Sequence, residues 1–231
     1  MKRSLALLLP ALVVVVAAAV VRADDKQPAA NTAVIGVTAK QKDKLRKWQV
    51  PQYCLVTTFA QWGFKVESRV STAWDAKLPK DSIKVVVPAK EGDKAAPAGP
   101  AAFTIEGTID YVKKDVKFYD NAVDVLVYVA DVNVVVKDAA GKELKKISWQ
   151  NYYGNNTDVG EEAVIKESEE RATRFLTVDL FSIKEIVDQI PKEKKEDFEK
   201  FLAKEKEVRE KNFDDYSKHK TDEKKDGDEK K

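Results

Sequence analysis

Few residues of this chain are equipped for catalysis. Its 231 residues include one His, His219, and one Cys, Cys54. A general base must be held within hydrogen-bond reach of the proton it removes. His219 lies in the terminal run HKTDEKKDGDEKK, which has no apolar residue to fix it in a site. Cys54 stands next to Leu55 in an apolar stretch that has no His to activate a thiol, so its expected role is that of a buried structural residue. One His and one Cys also exclude a His-Glu-His zinc site, an internal disulfide and a Cys-x-x-Cys redox pair. The nine glycines form no Gly-x-Gly-x-x-Gly, and Gly141-Lys142 is preceded by Val136 where a phosphate loop requires glycine. The sequence therefore points to no cofactor and no metal.

Carboxylates are the remaining source of acid-base chemistry. Asp110, Asp115, Asp120 and Asp124 cluster along one stretch, and two acids about 5 to 10 Å apart can cleave a glycoside. Asp120-Asn121 reads better as a turn, and the cluster lacks the alternating acids and central Gly of a calcium loop. A different kind of chemistry is offered by SWQNYYGNN, residues 148–156. Trp149, Tyr152, Tyr153 and Asn155 are the materials of a contact surface, since aromatic side chains contribute much of the energy of protein interfaces. These four are the candidate partner-binding residues. The alternative is that Trp149 packs in the core while the tyrosines cover a helix end.

The elements that must position these residues follow from periodicity. Residues 32–38 (TAVIGVT) have the β-branched content of a strand, and the basic stretch 41–48 suggests a helical turn. Leu55, Val56, Phe59 and Trp62 recur at helical offsets between Pro51 and Gly63, which predicts a short amphipathic helix. Strands are expected at 64–70 and 82–87, followed by a Pro, Ala and Gly-rich loop over 88–102. Phe103, Ile105, Gly107, Ile109 and Tyr111 alternate with polar residues, the pattern of a half-buried strand. A second strand runs over 123–136, and Asp138-Ala-Ala-Gly141 turns the chain into a third at 143–153. Ile165, Ser168, Ala172, Leu176, Leu180, Ile183, Val187 and Ile190 advance by three or four, which predicts one long helix from 161 to 190. Thr157 and Asp158 are placed to cap it, and Pro191 to stop it. The fold class is α+β: β-α-β, then an antiparallel three-strand meander and a long packing helix, with a charged helical C-terminal extension.

Charge divides the chain. Residues 1–23, with Lys2 and Arg3 ahead of an apolar run and Val21-Arg22-Ala23 at its end, have the form of a secretory signal peptide cleaved after Ala23. Losing Lys2, Arg3 and Arg22 turns a net charge of +2 into −1, which gives no general attraction for nucleic acid. Residues 24–31 form a polar leader. Residues 192–231 are 28/40 charged with zero net charge, a composition that fades from exposed helix to disorder. The stretch 32–191 is then a single α+β domain.

This order of elements behind a signal peptide resembles small bacterial envelope modules: the lipopolysaccharide-assembly lipoprotein family, and the N-terminal domains of TolB-like and curli-secretion-like periplasmic proteins. The residues in question are LVTTFAQWGFKV at 55–66, TIEGTIDY at 104–111, the span 123–144, and Tyr153-Gly154-Asn155 ahead of Glu161-Glu162-Ala163. The chain departs from the lipoproteins in having no lipobox Cys and in adding the charged tail. The resemblance implies an exported periplasmic or extracellular module. Together with the scarcity of catalytic groups, the expectation is a non-enzymatic protein that binds an envelope protein or envelope component. It would touch membrane only through an uncleaved signal. The alternatives are a carboxylate-dependent, glycosidase-like hydrolase and a spacer acting through its tail.

Overall fold

The computed structural model describes residues 31–87, 101–114, 125–156 and 159–213. Residues 1–30, where the signal peptide and leader are expected, most of the Pro-rich loop, Asp115, Asp120, Asp124, Thr157, Asp158 and His219 lie outside them.

The elements are β1 (Thr32–Gln41), β2 (Lys44–Leu45), α1 (Val50–Gln61), β3 (Lys65–Ser68), β4 (Ile83–Val85), β5 (Phe103–Lys114), β6 (Val125–Asp138), β7 (Glu143–Asn156), α2 (Glu161–Leu180), α3 (Lys184–Val187) and α4 (Lys195–Asn212). They form a mixed sheet in the order β4-β3-β1-β5-β6-β7, with β2 paired to the end of β1. The fold is α+β, as the periodicity predicts: β1-α1-β3 is a parallel crossover, and β5, β6 and β7 make the antiparallel meander. β5 alternates because its odd-numbered side chains, Phe103, Ile105, Ile109 and Tyr111, point into the layer of helices, where each is at most 1% exposed. At Gly107 the two backbones run so close that an added Cβ would lie 2.2 Å from the Asn133 carbonyl oxygen.

Two local expectations are corrected. Residues 41–48 hold no helical turn but a tight hairpin, in which Gln41 pairs with Lys44 across Lys42 and Asp43. Both loop residues have positive φ, 50° and 62°, the geometry that matches a two-residue turn to the twist of its strands. The predicted long helix ends at Leu180. Ser182 Oγ donates to the Asp179 carbonyl at 2.6 Å, Ile183 is extended, and α3 follows. Local side-chain bonding of this kind competes with helix continuation. Periodicity did not reveal the break because Ile183, Ile186 and Ile190 remain buried on the same side. The helix begins on Gly160 at φ 80°, with no side-chain cap among the described residues.

The apolar layer extends into the charged segment. Phe198 of α4 is 1% exposed and meets Trp62 and Phe181 edge to face. No described helix is long and apolar enough to cross a membrane.

Candidate functional site: an aromatic cleft above a buried ion pair

β3 covers β1 only from Thr32 to Ile35, so the backbone of β1 beyond that point needs other partners. Two glutamines supply them. Gln52, fully buried on α1, accepts from the Val37 N–H at 2.8 Å and donates to the Ile35 carbonyl and to Ser68 Oγ, each at 2.8 Å. Gln49 accepts from the Ala39 N–H at 2.8 Å and donates to the carbonyls of Ala39 and Arg46 at 3.0 and 2.7 Å. Its own backbone is left-handed, at φ 48°. These side chains act as a substitute strand, because buried backbone groups must be paired, and they tie the 41–52 corner to the sheet.

That corner positions Arg46. Its Nε donates to Glu169 Oε1 at 3.0 Å, its Nη2 to Glu162 Oε1 at 2.6 Å, and its Nη1 to Gln41 Oε1 at 3.2 Å. Glu169 is 1% exposed, and its second oxygen, Oε2, has no hydrogen-bond partner. Burial raises the Glu169 pKa and outweighs the opposing pull of Arg46. Burial also works to lower the Arg46 pKa, but its two carboxylate partners together raise it. Beside this pair lies Tyr111, completely buried with an unpartnered hydroxyl and a pKa raised well above its ordinary value, chiefly by burial. Tyr128 donates to Glu161 and accepts from Gln41 Nε2.

Over Glu169 opens a cleft of about 370 Å³, lined by Trp48, Val50, Trp74, Glu162, Lys166 and Glu169. The indoles of Trp48 and Trp74 stack at 5.6 Å with 25° between their planes, and Tyr53 packs 5.0 Å behind Trp74. The Trp74 loop is braced by Asp75, whose carboxylate accepts from Ser71 Oγ, Thr72 Oγ1 and the Thr72 N–H at 2.6 to 2.9 Å. Trp48 remains 38% exposed. The stacked indoles thus border a cleft whose two carboxylates, Glu162 and Glu169, both bond Arg46.

The predicted contact residues are distributed differently. Residues 148–156 form no turn; they continue β7, so successive side chains point to opposite faces. Trp149 faces the helices: Nε1 donates to Asp179 Oδ2 at 2.8 Å, and the ring packs edge to face with Phe175 and Phe213. Asp179 also receives Arg209, which closes α4 over this point. Tyr153, on the same face, carries the Arg171 guanidinium 4.3 Å from its ring centre and accepts from Asn155 Nδ2 at 3.2 Å. Tyr152 is on the other face of the sheet. The structure thus places Trp149 in the helix packing, the alternative weighed from the sequence, and divides the four residues between two surfaces.

Of the four acids, only Asp110 is described. It stands across from Asp131, whose carboxylate is taken by Asn133 and Gln150 at 3.0 and 2.9 Å, and neither lines the aromatic cleft. Burial pushes the Cys54 thiol up to about 11, which makes it a poor nucleophile.

Sequence reasoning missed Trp48, Trp74 and the Arg46–Glu169 pair. One signal was available: Glu169 falls four residues after Ile165 and three before Ala172, on the core stripe of α2. A charge in that position needs a partner.

No family model matches the chain, and no curated protein matches it. Among solved structures, a minor lipoprotein from Acinetobacter baumannii is similar over 63% of this chain and 89% of that one, at 10% identity and a TM-score of 0.31. A likeness of that degree transfers neither activity nor partner.

Proposed function

We propose that this chain is an exported, non-enzymatic envelope module that binds a partner protein or an envelope component in the Trp48–Trp74 cleft. The observation that carries this reading is the pair of stacked indoles beside the cleft, one of them 38% exposed. A concave, mostly apolar cleft with a few convergent polar groups is the usual form of a binding site. Its carboxylates suit holding better than proton transfer, because Glu162 and Glu169 both engage Arg46.

The test is co-sedimentation of the chain from residue 24 onward with envelopes isolated from the source organism. Trp48→Ala combined with Trp74→Ala is expected to weaken binding at least tenfold, whereas Trp149→Phe leaves it unchanged. Equal sedimentation of all three proteins would overturn the assignment, as would a hydrolytic activity that Asp110→Asn abolishes.

A further inference from the structure

We propose that the corner at residues 41–48 docks on the surface of a membrane that carries anionic lipid, with Leu45 and Trp48 entering the headgroup layer and the neighbouring lysines resting against its phosphates. This goes beyond the cleft reading and shares only Trp48 with it. The first observation is exposure. Leu45 is 60% exposed and Trp48 is 38% exposed, and among residues 42–48 only Arg46 is not exposed. A single exposed Leu is ordinary; this one shares a short corner with an exposed Trp and with Lys42, Lys44 and Lys47. The second is charge. Around Arg46, the four lysines Lys40, Lys42, Lys44 and Lys47 stand against Asp43 alone, a local excess of three positive charges in a chain close to neutral. None of these lysines forms an ion pair among the described residues. Arg46 turns inward to Glu162 and Glu169 and anchors the corner. The third is rigidity. Gln41 pairs with Lys44 across the positive-φ residues Lys42 and Asp43, and Gln49 ties the far end of the corner to Ala39. A surface already ordered loses little conformational freedom on docking.

These observations discriminate among partners. A second copy of this chain would bring the same lysines and be repelled. A nucleic acid would pair with the lysines but leave Leu45 in water, and Trp48 is already stacked on Trp74, which takes ring surface from a base. An acidic protein would meet the lysines, but two apolar side chains are too few for the buried centre of a protein interface. An anionic bilayer meets both demands. Lysines are drawn to its negative surface, Trp is favoured at headgroup level, and Leu gains by leaving water. Leu45 lies across from Lys40 on one face of the hairpin and Lys44 on the other, so a corner that enters edgewise brings apolar and cationic groups to the surface together. Such a contact lies on the membrane and needs no spanning segment.

The test is flotation of the chain from residue 24 onward, which keeps every described element, with vesicles of phosphatidylcholine alone or with about one-third phosphatidylglycerol, at about 0.1 M and about 1 M salt. The anionic vesicles should bind it at millimolar or lower lipid, the neutral ones should not, and high salt should weaken the binding. Lys42→Gln, Lys44→Gln and Lys47→Gln combined should weaken it by about 100-fold, from about fivefold per charge, and Leu45→Gln by about tenfold. Brominated acyl chains should quench tryptophan emission less in Trp48→Phe than in the wild type. The substituted side chains are exposed, and near-ultraviolet circular dichroism will show that each variant is folded. The proposal is overturned if anionic vesicles bind no better than neutral ones, if the lysine variant or Leu45→Gln binds them unchanged, or if a single-stranded oligonucleotide binds more tightly with the same dependence on the lysines. Leu45 and the three lysines are not among the cleft residues, so their variants leave the cleft in place. Should vesicles fail while envelope binding still depends on Trp48 and Trp74, the lipid contact falls and the cleft reading stands.

Discussion

Replacing Gln52 with Leu tests whether side chains really finish the β1 edge. Gln52 makes three buried hydrogen bonds at 2.8 Å, to the Val37 N–H, the Ile35 carbonyl and Ser68 Oγ. Leu is of similar size and suits an apolar neighbourhood, so the change isolates polarity from volume. Ser68 Oγ also donates to the Val70 carbonyl at 3.0 Å and keeps that partner. The Ile35 carbonyl keeps the Arg69 N–H at 2.8 Å, so only the Val37 N–H is stranded in the variant, at about 1 to 3 kcal/mol, and losing the Gln52 bonds to Ile35 and Ser68 brings the expected loss to about 2 kcal/mol. With a urea slope of about 2 kcal/mol/M, the unfolding midpoint should fall by about 1 M without a change in slope. Ser68→Ala serves as the comparison: it removes one side-chain partner of Gln52 and should cost about 1 kcal/mol. Hydrogen exchange at the Val37 amide should accelerate in Gln52→Leu. A midpoint shift below about 0.5 M, about 1 kcal/mol at that slope, would refute the substitute-strand account.

Gly107→Ala forces a methyl to within 2.2 Å of the Asn133 carbonyl oxygen and 2.7 Å of Val134 Cα. Since backbone must move, it should cost about 3 kcal/mol and lower the melting temperature by roughly 6 to 10 °C; an unchanged melting temperature would contradict the close strand approach. Cys54, with its thiol pushed from 9.0 up to about 11, should react with iodoacetamide at pH 8 about 100-fold more slowly in the native protein than in urea, since two pKa units remove that much thiolate. Equal rates would show the thiol to be accessible and unperturbed. Glu169 has a native pKa above the ordinary 4.5, set chiefly by burial, so at pH values between the two the folded state binds a proton more strongly than the unfolded state. Its contribution to stability is therefore complete below about pH 4.5 and is lost as the pH rises through the raised native value. Denaturation curves from pH 4 to 8 should show this decline in the wild type and not in Glu169→Gln; parallel profiles would refute it.

How far the fold could be foreseen depended on how local its causes are. β5 was legible because a strand exposes alternate residues to opposite environments, and Phe103 to Tyr111 record that directly. The α1 stripe and the turn at Asp138 and Gly141 are equally local. The 161–190 helix was misjudged because Ser182 ends the helix while Ile183 and Ile186 keep the same buried side, so the stripe survives the break. The corner at 41–48 was misjudged because Lys42 and Asp43 adopt positive φ without the Asn-Gly or Asp-Gly pair that usually announces such a turn. Trp149, Tyr152 and Tyr153 look like one surface in a linear segment, but strand geometry sends Tyr152 to the face opposite the other two.

The amino-acid sequence alone determined the α+β class, the meander and the poverty of groups suited to acid-base or redox catalysis, because composition and short-range periodicity respond to burial one element at a time. Only the tertiary structure decided where a site could be. Trp48 and Trp74 meet because β3 returns to lie parallel beside β1, and Arg46 reaches Glu169 across 123 positions of the chain. Neither pairing leaves a periodic trace. What joins them is the packing of α2 against α1, the helix at whose start Gln49 and Gln52 complete a strand edge that the sheet left unfinished.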